Sequence, residues 1–177
     1  MPVFTPDFGS VSMNMPMYEK GRYQIQVTKR TPFHKTGKEV DGVAKVSAGV
    51  RFALEMVGQF DDAGDLQTDD LKGKQVSSYT VWLHSEGGWQ FGKPFMAAAC
   101  GYRRNQEAEA NEFFQENEWD FAGELDADAE TFELGAGWDL PVGQLVDVNM
   151  SVERSPNPAD EDNPYENQEF GGWAPVS

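Results

Sequence analysis

The sequence predicts a mainly β chain with a helical insertion: five strands in the order of a Greek-key barrel, with helices between the third and the fourth. Three observations carry this expectation. From Val46 to Met56 the residues Val46, Ala48, Val50, Phe52, Leu54 and Met56 alternate with a set that includes Ser47, Arg51 and Glu55, with Lys45 just ahead, which is the period of a half-buried strand. From Gln75 to His84 the alternation returns, with Tyr79, Val81 and Leu83 on one side and Ser78, Thr80, Trp82 and His84 on the other. Between this run and a third alternating stretch around Val146 lie helix signals, Pro94 ahead of an Ala-rich segment and Asn105 ahead of an amphipathic one.

At 177 residues the chain fits one domain and can bury a core without staples. Its apolar fraction of 39% and aromatic fraction of 12% are those of a folded protein. Cys100 is the single cysteine, and the N-terminus lacks the basic and apolar regions of a secretory signal. Both features point to a reducing interior such as the cytoplasm. No window is as long and apolar as a membrane span, and His34 and His84 stand far from Cys100, without zinc spacing. A net charge of -16 weighs against a nucleic-acid partner, but it is uneven: residues 1–58 carry +3 and residues 59–177 carry -19. Screening over about 8 Å at physiological salt leaves a local basic groove largely insulated from a distant acidic flank.

Residues 1–17, with Phe4, Phe8, Met13, Met15 and Met17 among Pro, Ser and Asn, show no period and read as an arm that packs loosely or pairs with a neighbour. The domain then spans 18–177. Gly21 to Lys29 is the first strand, with Tyr23, Ile25 and Val27 inward and Arg22, Gln24, Gln26 and Thr28 outward. Arg30 to Gly42 reads as a long loop holding Phe33, His34, Lys35 and Lys38, mobile at Gly37 and Gly42. The second strand ends near Met56, an acidic turn region covers Asp61 to Lys74, and the third strand follows.

The insertion occupies about 88–122. Gly87-Gly88 breaks the strand, Pro94 suits a first helical turn, and Phe95 to Cys100 is a short helix that Gly101 ends. A second helix runs from Gln106 to about Glu118, capped by Asn105, with Ala110, Phe113 and Phe114 toward the core. Gln144 to Arg154 is the fourth strand, through Val146, Val148, Met150 and Val152. Residues 155–167 form an acidic loop, and Gln168 to Val176, with Phe170 and Trp173, supplies an irregular fifth strand. No internal repeat is visible.

Three strands, a helical insertion and two more strands follow the order of an OB-fold, whose second and third strands and flanking loops bind single strands. The runs Tyr18-Glu-Lys-Gly-Arg-Tyr-Gln-Ile-Gln-Val27, Gly49-Val-Arg-Phe52, Tyr79-Thr-Val-Trp-Leu-His84 and Gly88-Trp-Gln-Phe-Gly-Lys-Pro-Phe-Met96 with Gly101-Tyr102 resemble phage-encoded OB-fold single-stranded DNA-binding proteins, many known only as a phage domain of unknown function. The resemblance covers roughly Tyr18 to Val152. It implies binding of single-stranded DNA without sequence preference, in the replication and recombination of a bacteriophage, in the host cell cytoplasm.

Such binding needs a positive track and aromatic faces, with stacking worth about 1–3 kcal/mol per base. Lys29, Arg30, Lys35, Lys38, Lys45 and Arg51 supply the track, and Lys72, Lys74 and Lys93 extend it. Trp82 and Phe33 are the first stacking candidates, with Trp89 and Phe91 next. Phe52, Tyr23 and Tyr79 fall on inward faces and read as core. Were the helical insertion to cover the face of Trp82, the indole would be core as well. The acidic stretch Asp160-Glu-Asp-Asn-Pro-Tyr-Glu166 departs from the family pattern, being negative where a DNA clamp is positive. It is read as competing with DNA or recruiting replication or recombination proteins.

No Gly-x-Ser-x-Gly elbow, phosphate loop or metal spacing is present, so neither an enzyme nor a cofactor is expected. The alternative to the single-strand binder is an acidic virion or assembly protein, or a DNA mimic, without nucleic-acid binding.

Overall fold

The computed structural model describes residues 15–83, 86–119, 121–122 and 133–176, with the side chains of 34–38, 43–46, 86, 121–122 and 133 outside that description. The chain is mainly β, an open antiparallel sheet with two helices. The sheet is built on one long hairpin of β1 (Gly21–Val40) and β2 (Val43–Phe60). Asp41 and Gly42 join them, both at positive φ (53° and 79°), the backbone that a two-residue hairpin turn demands and that Asp-Gly tolerates. The stretch expected as a mobile loop, Arg30 to Gly42, is therefore strand up to Val40. Its lack of clear alternation hid a ladder that the two-residue turn makes possible.

On the other edge of β2 lie β3 (Leu66–Gln67) and β4 (Gln75–Trp82); on the other edge of β1 lies β7 (Leu145–Ser155), followed by β8 (Tyr165–Pro175). A two-residue pair, β5 (Phe121–Ala122) and β6 (Glu133–Leu134), stands apart. Only Gly21 to Gln26 of β1 pair with β7, and Gly49 to Glu55 of β2 pair with β4. Beyond Ala48 the hairpin continues as a two-stranded ribbon with no third strand beside it among the described residues. At 3.4 Å per residue the ribbon reaches about 20 Å past the sheet.

The expected closure into a barrel is not formed among the described residues, because no ladder joins β4 to β8. The two ends of the sheet instead meet through side chains, Tyr79 standing 5.8 Å from Phe170 and 5.0 Å from Trp173, ring to ring. Helix α1 (Glu86–Ala99) packs against both end strands. Its Phe95 is fully buried, 5.2 Å from Phe52, 5.0 Å from Tyr79 and 4.8 Å from Trp173. The core behind it holds Ile25, Val27, Val50, Phe52, Met56, Val81, Val146, Val148 and Met150, as the alternation predicts, with Tyr23 buried and Tyr79 partly so. Tyr18 marks the start of this packing: its backbone exchanges two hydrogen bonds with the Gln168 side chain, and its hydroxyl donates to the Gln75 carbonyl.

Helix α1 is longer than the sequence suggests, with Gly87, Gly88 and Pro94 inside it. Propensity disfavours all three; burial of Phe95 and Met96 on the helix face toward the sheet outweighs it. The second helix, α2 (Glu107–Glu116), follows a 3-10 turn at Arg104–Gln106, so the expected cap Asn105 lies within that turn and Gln106 is the cap. Ala110 is buried as expected, and Phe113 and Phe114 are half-buried. The acidic loop is shorter than expected, because Ser155 ends β7 and Tyr165 already begins β8.

Candidate nucleic-acid interface

A bulge decides which basic residues share a face. Between Val27 and Lys29 the β1–β2 register slips by one, leaving Thr28 as the extra residue. Plain alternation would turn Lys29 inward and Arg30 outward; the bulge exchanges them. Lys29, Thr31 and Phe33 therefore lie opposite Ala53, Arg51 and Gly49, and the same face continues through Thr80 and Trp82 of β4. Lys29, Thr31 and Arg51 are exposed there, and Phe33 and Trp82 are half-buried. The other face of these strands carries Phe52, Val50, Val81 and Tyr79 and is the one that α1 covers.

Phe33 and Trp82 come from strands on either side of β2, and both lie opposite Gly49. With no side chain between them, the two rings reach over β2 and meet edge-on at 5.6 Å. A Cβ at position 49 would sit 2.6 Å from the Val81 carbonyl oxygen, so a larger residue is excluded there. The Arg51 guanidinium lies 3.9 Å from the centre of the Phe33 ring, a stacked cation held by the ring quadrupole. Arg51 itself lies between Thr31 and Thr80 in register. One face thus offers a flat cation, an indole, two threonine hydroxyls and the Lys29 ammonium.

The remaining sequence candidates do not join this cluster. Arg30 turns to the core side, where its Nε donates to Asp139 Oδ1 at 2.6 Å and its Nη2 to Oδ2 at 3.3 Å. The guanidinium holds the Asp139 carboxyl below its usual range, and the pair leaves Arg30 little charge to offer a phosphate. Trp89 belongs to an aromatic cluster beneath the helices, 6.0 Å from both Phe114 and Trp138. Lys93 pairs with Glu107 at 2.8 Å on α1, and Phe91, although 79% exposed, also stands on that helix. Both are on the opposite side of the sheet from Trp82. Lys72 and Lys74 are exposed in the turn before β4. Lys35, Lys38 and Lys45 lie on the projecting ribbon, Lys35 backbone-paired with Ser47, and their side chains lie outside the described residues, as does His84.

Sequence reasoning missed Thr31 and Gly49 as parts of this face. The hairpin turn itself was signalled by Asp41-Gly42, but counting back from it sets Phe33 opposite Val50; a second register slip, between Thr36 and Glu39, moves Phe33 to Gly49. Compared with family models, with curated proteins and with solved structures, the chain matches none.

Proposed function

We propose that the chain binds single-stranded DNA without strong sequence preference, across the outer face of β1, β2 and β4. The observation that carries this reading is the stack of Arg51 on Phe33 beside Trp82, on the sheet face away from α1. Unpaired bases stack on aromatic rings and on guanidinium planes alike, while the phosphates require cations along the same path. Lys29 and Arg51 flank the rings, and the ribbon continues the path with three lysines in its sequence. The strand order, with helices between β4 and β7, is that of an OB-fold left unclosed, and the resemblance to phage single-stranded DNA-binding proteins fits it. Replication or recombination proteins would meet the acidic side.

One observation favours the rival, an acidic mimic or assembly protein. Arg30, Lys93 and Arg154 are each engaged by carboxylates, Arg154 by both Glu19 and Glu166, so much of the positive charge is spent internally. A titration of labelled oligo-dT followed by anisotropy separates the two readings. The binder gives saturable binding whose log affinity falls with log salt by about 0.7 per neutralised phosphate. Absence of binding at low salt, together with capture of a basic DNA-binding protein, would establish the mimic in its place.

A further inference from the structure

On the other side of the sheet, a cavity of about 630 Å³ opens between α1, the turn after it and β8. Among the described residues, Lys93, Arg103 and Arg104 line it, against a single carboxylate, Glu107. Glu107 is committed to Lys93 at 2.8 Å, and Lys93 holds its carboxyl below the usual range. Arg103 and Arg104 are both exposed. Among the described residues no ion pair involves either, whereas Arg22, Arg30 and Arg154 each meet a carboxylate. In a chain of net charge -16, two adjacent guanidiniums without an anion mark a place where an anion from outside is favoured.

The same cavity has flat apolar walls. Phe91 is 79% exposed at its rim, and Tyr102 and Trp173, both half-buried, line it. Forked guanidinium donors match phosphate oxygens two at a time, and exposed rings are stacking platforms for a base. The volume lies within the range of small-ligand sites, about 300–1,000 Å³. We propose that this cleft is a binding site for a nucleoside phosphate, the phosphate on Arg103 and Arg104 and the base against Phe91. The ligand is a free nucleotide or one nucleotide of a strand; the two share this chemistry, so a mononucleotide binds the cleft in either case. The site is separated by the sheet from the Phe33–Trp82 face and does not depend on the reading of that face.

The test is calorimetric titration of the full chain with deoxyadenosine monophosphate, and separately with oligo-dT, for wild type, Arg103→Ala/Arg104→Ala and Phe91→Ala. Thermal unfolding of each variant serves as the folding control, since all three side chains are exposed. The mononucleotide is expected to bind, and to bind at least tenfold more weakly to each variant. Binding that is absent, or equal in all three proteins, overturns the proposal. So does pyrophosphate binding as tightly as the nucleotide, which would leave the rings without a role, or an acidic Phe-containing peptide binding where the nucleotide does not. Oligo-dT binding without mononucleotide binding removes the cleft and leaves the sheet face standing; the converse result does the opposite.

Discussion

Replacing Trp82 by alanine tests the sheet face most directly. The indole is half-buried, meets Phe33 edge-on at 5.6 Å and has no side chain beneath it at Gly49. Two losses follow, and they separate. The ring pair contributes about 0.5–1.5 kcal/mol to stability beyond the area it buries, so the variant unfolds at lower urea but remains folded under binding conditions. If one base stacks on the indole, about 1–3 kcal/mol of binding is lost with it, and at 1.4 kcal/mol per decade the dissociation constant for oligo-dT rises about 5- to 150-fold. Trp82→Phe keeps a ring over Gly49 and should fall between the two. The assay is anisotropy of labelled oligo-dT at a temperature below both unfolding transitions. A dissociation constant for Trp82→Ala within twofold of wild type, in a chain shown to be folded, would refute the reasoning.

Three further outcomes are expected. Arg51→Ala should flatten the salt dependence of oligo-dT affinity by about 0.7 in slope, while Arg30→Ala should leave the slope unchanged, because Asp139 already neutralises that guanidinium; salt titrations of the two variants compare them. Phe95→Ala removes a fully buried ring that touches Phe52, Tyr79 and Trp173 and should cost about 3–5 kcal/mol in urea unfolding. Burial pushes the Cys100 thiol up to about 12. Since only the thiolate reacts and a free cysteine has a value of about 8.5, alkylation at pH 8 should be roughly 10³-fold slower in the folded chain than in denaturant.

The core was legible because alternation is a local signal: every even residue from Ala48 to Met56 is buried, and the existence of β4, β7 and both helices followed from equally local patterns. What escaped depended on events outside any one segment. The Thr28 bulge exchanges Lys29 and Arg30 between faces, and no run of residues announces a bulge until its partner strand is known. The extent of α1 through Gly88, Gly92 and Pro94 was set by the sheet beneath it: a Cβ at Gly92 would lie 2.5 Å from Val81 Cγ1, so the helix rests on β4 at that glycine. Of the candidate site, Arg51, Phe33, Trp82 and Lys29 share one face. Trp89 was lost to the core because its partners Phe114 and Trp138 are distant in sequence.

The unclosed sheet gives α1 a duty that a complete barrel would not ask of it. Rings, with the Tyr18 hydrogen bonds to Gln75 and Gln168 beside them and no strand ladder, hold the last strands together across the gap, and the Phe95 side chain sits among them as a keystone. Tyr79 ties the arrangement further by donating its hydroxyl hydrogen to the Phe91 carbonyl of the same helix. When α1 lifts, the outer edges of β4 and β8 lose their cover together, so their amides should exchange with solvent in step with those of the helix.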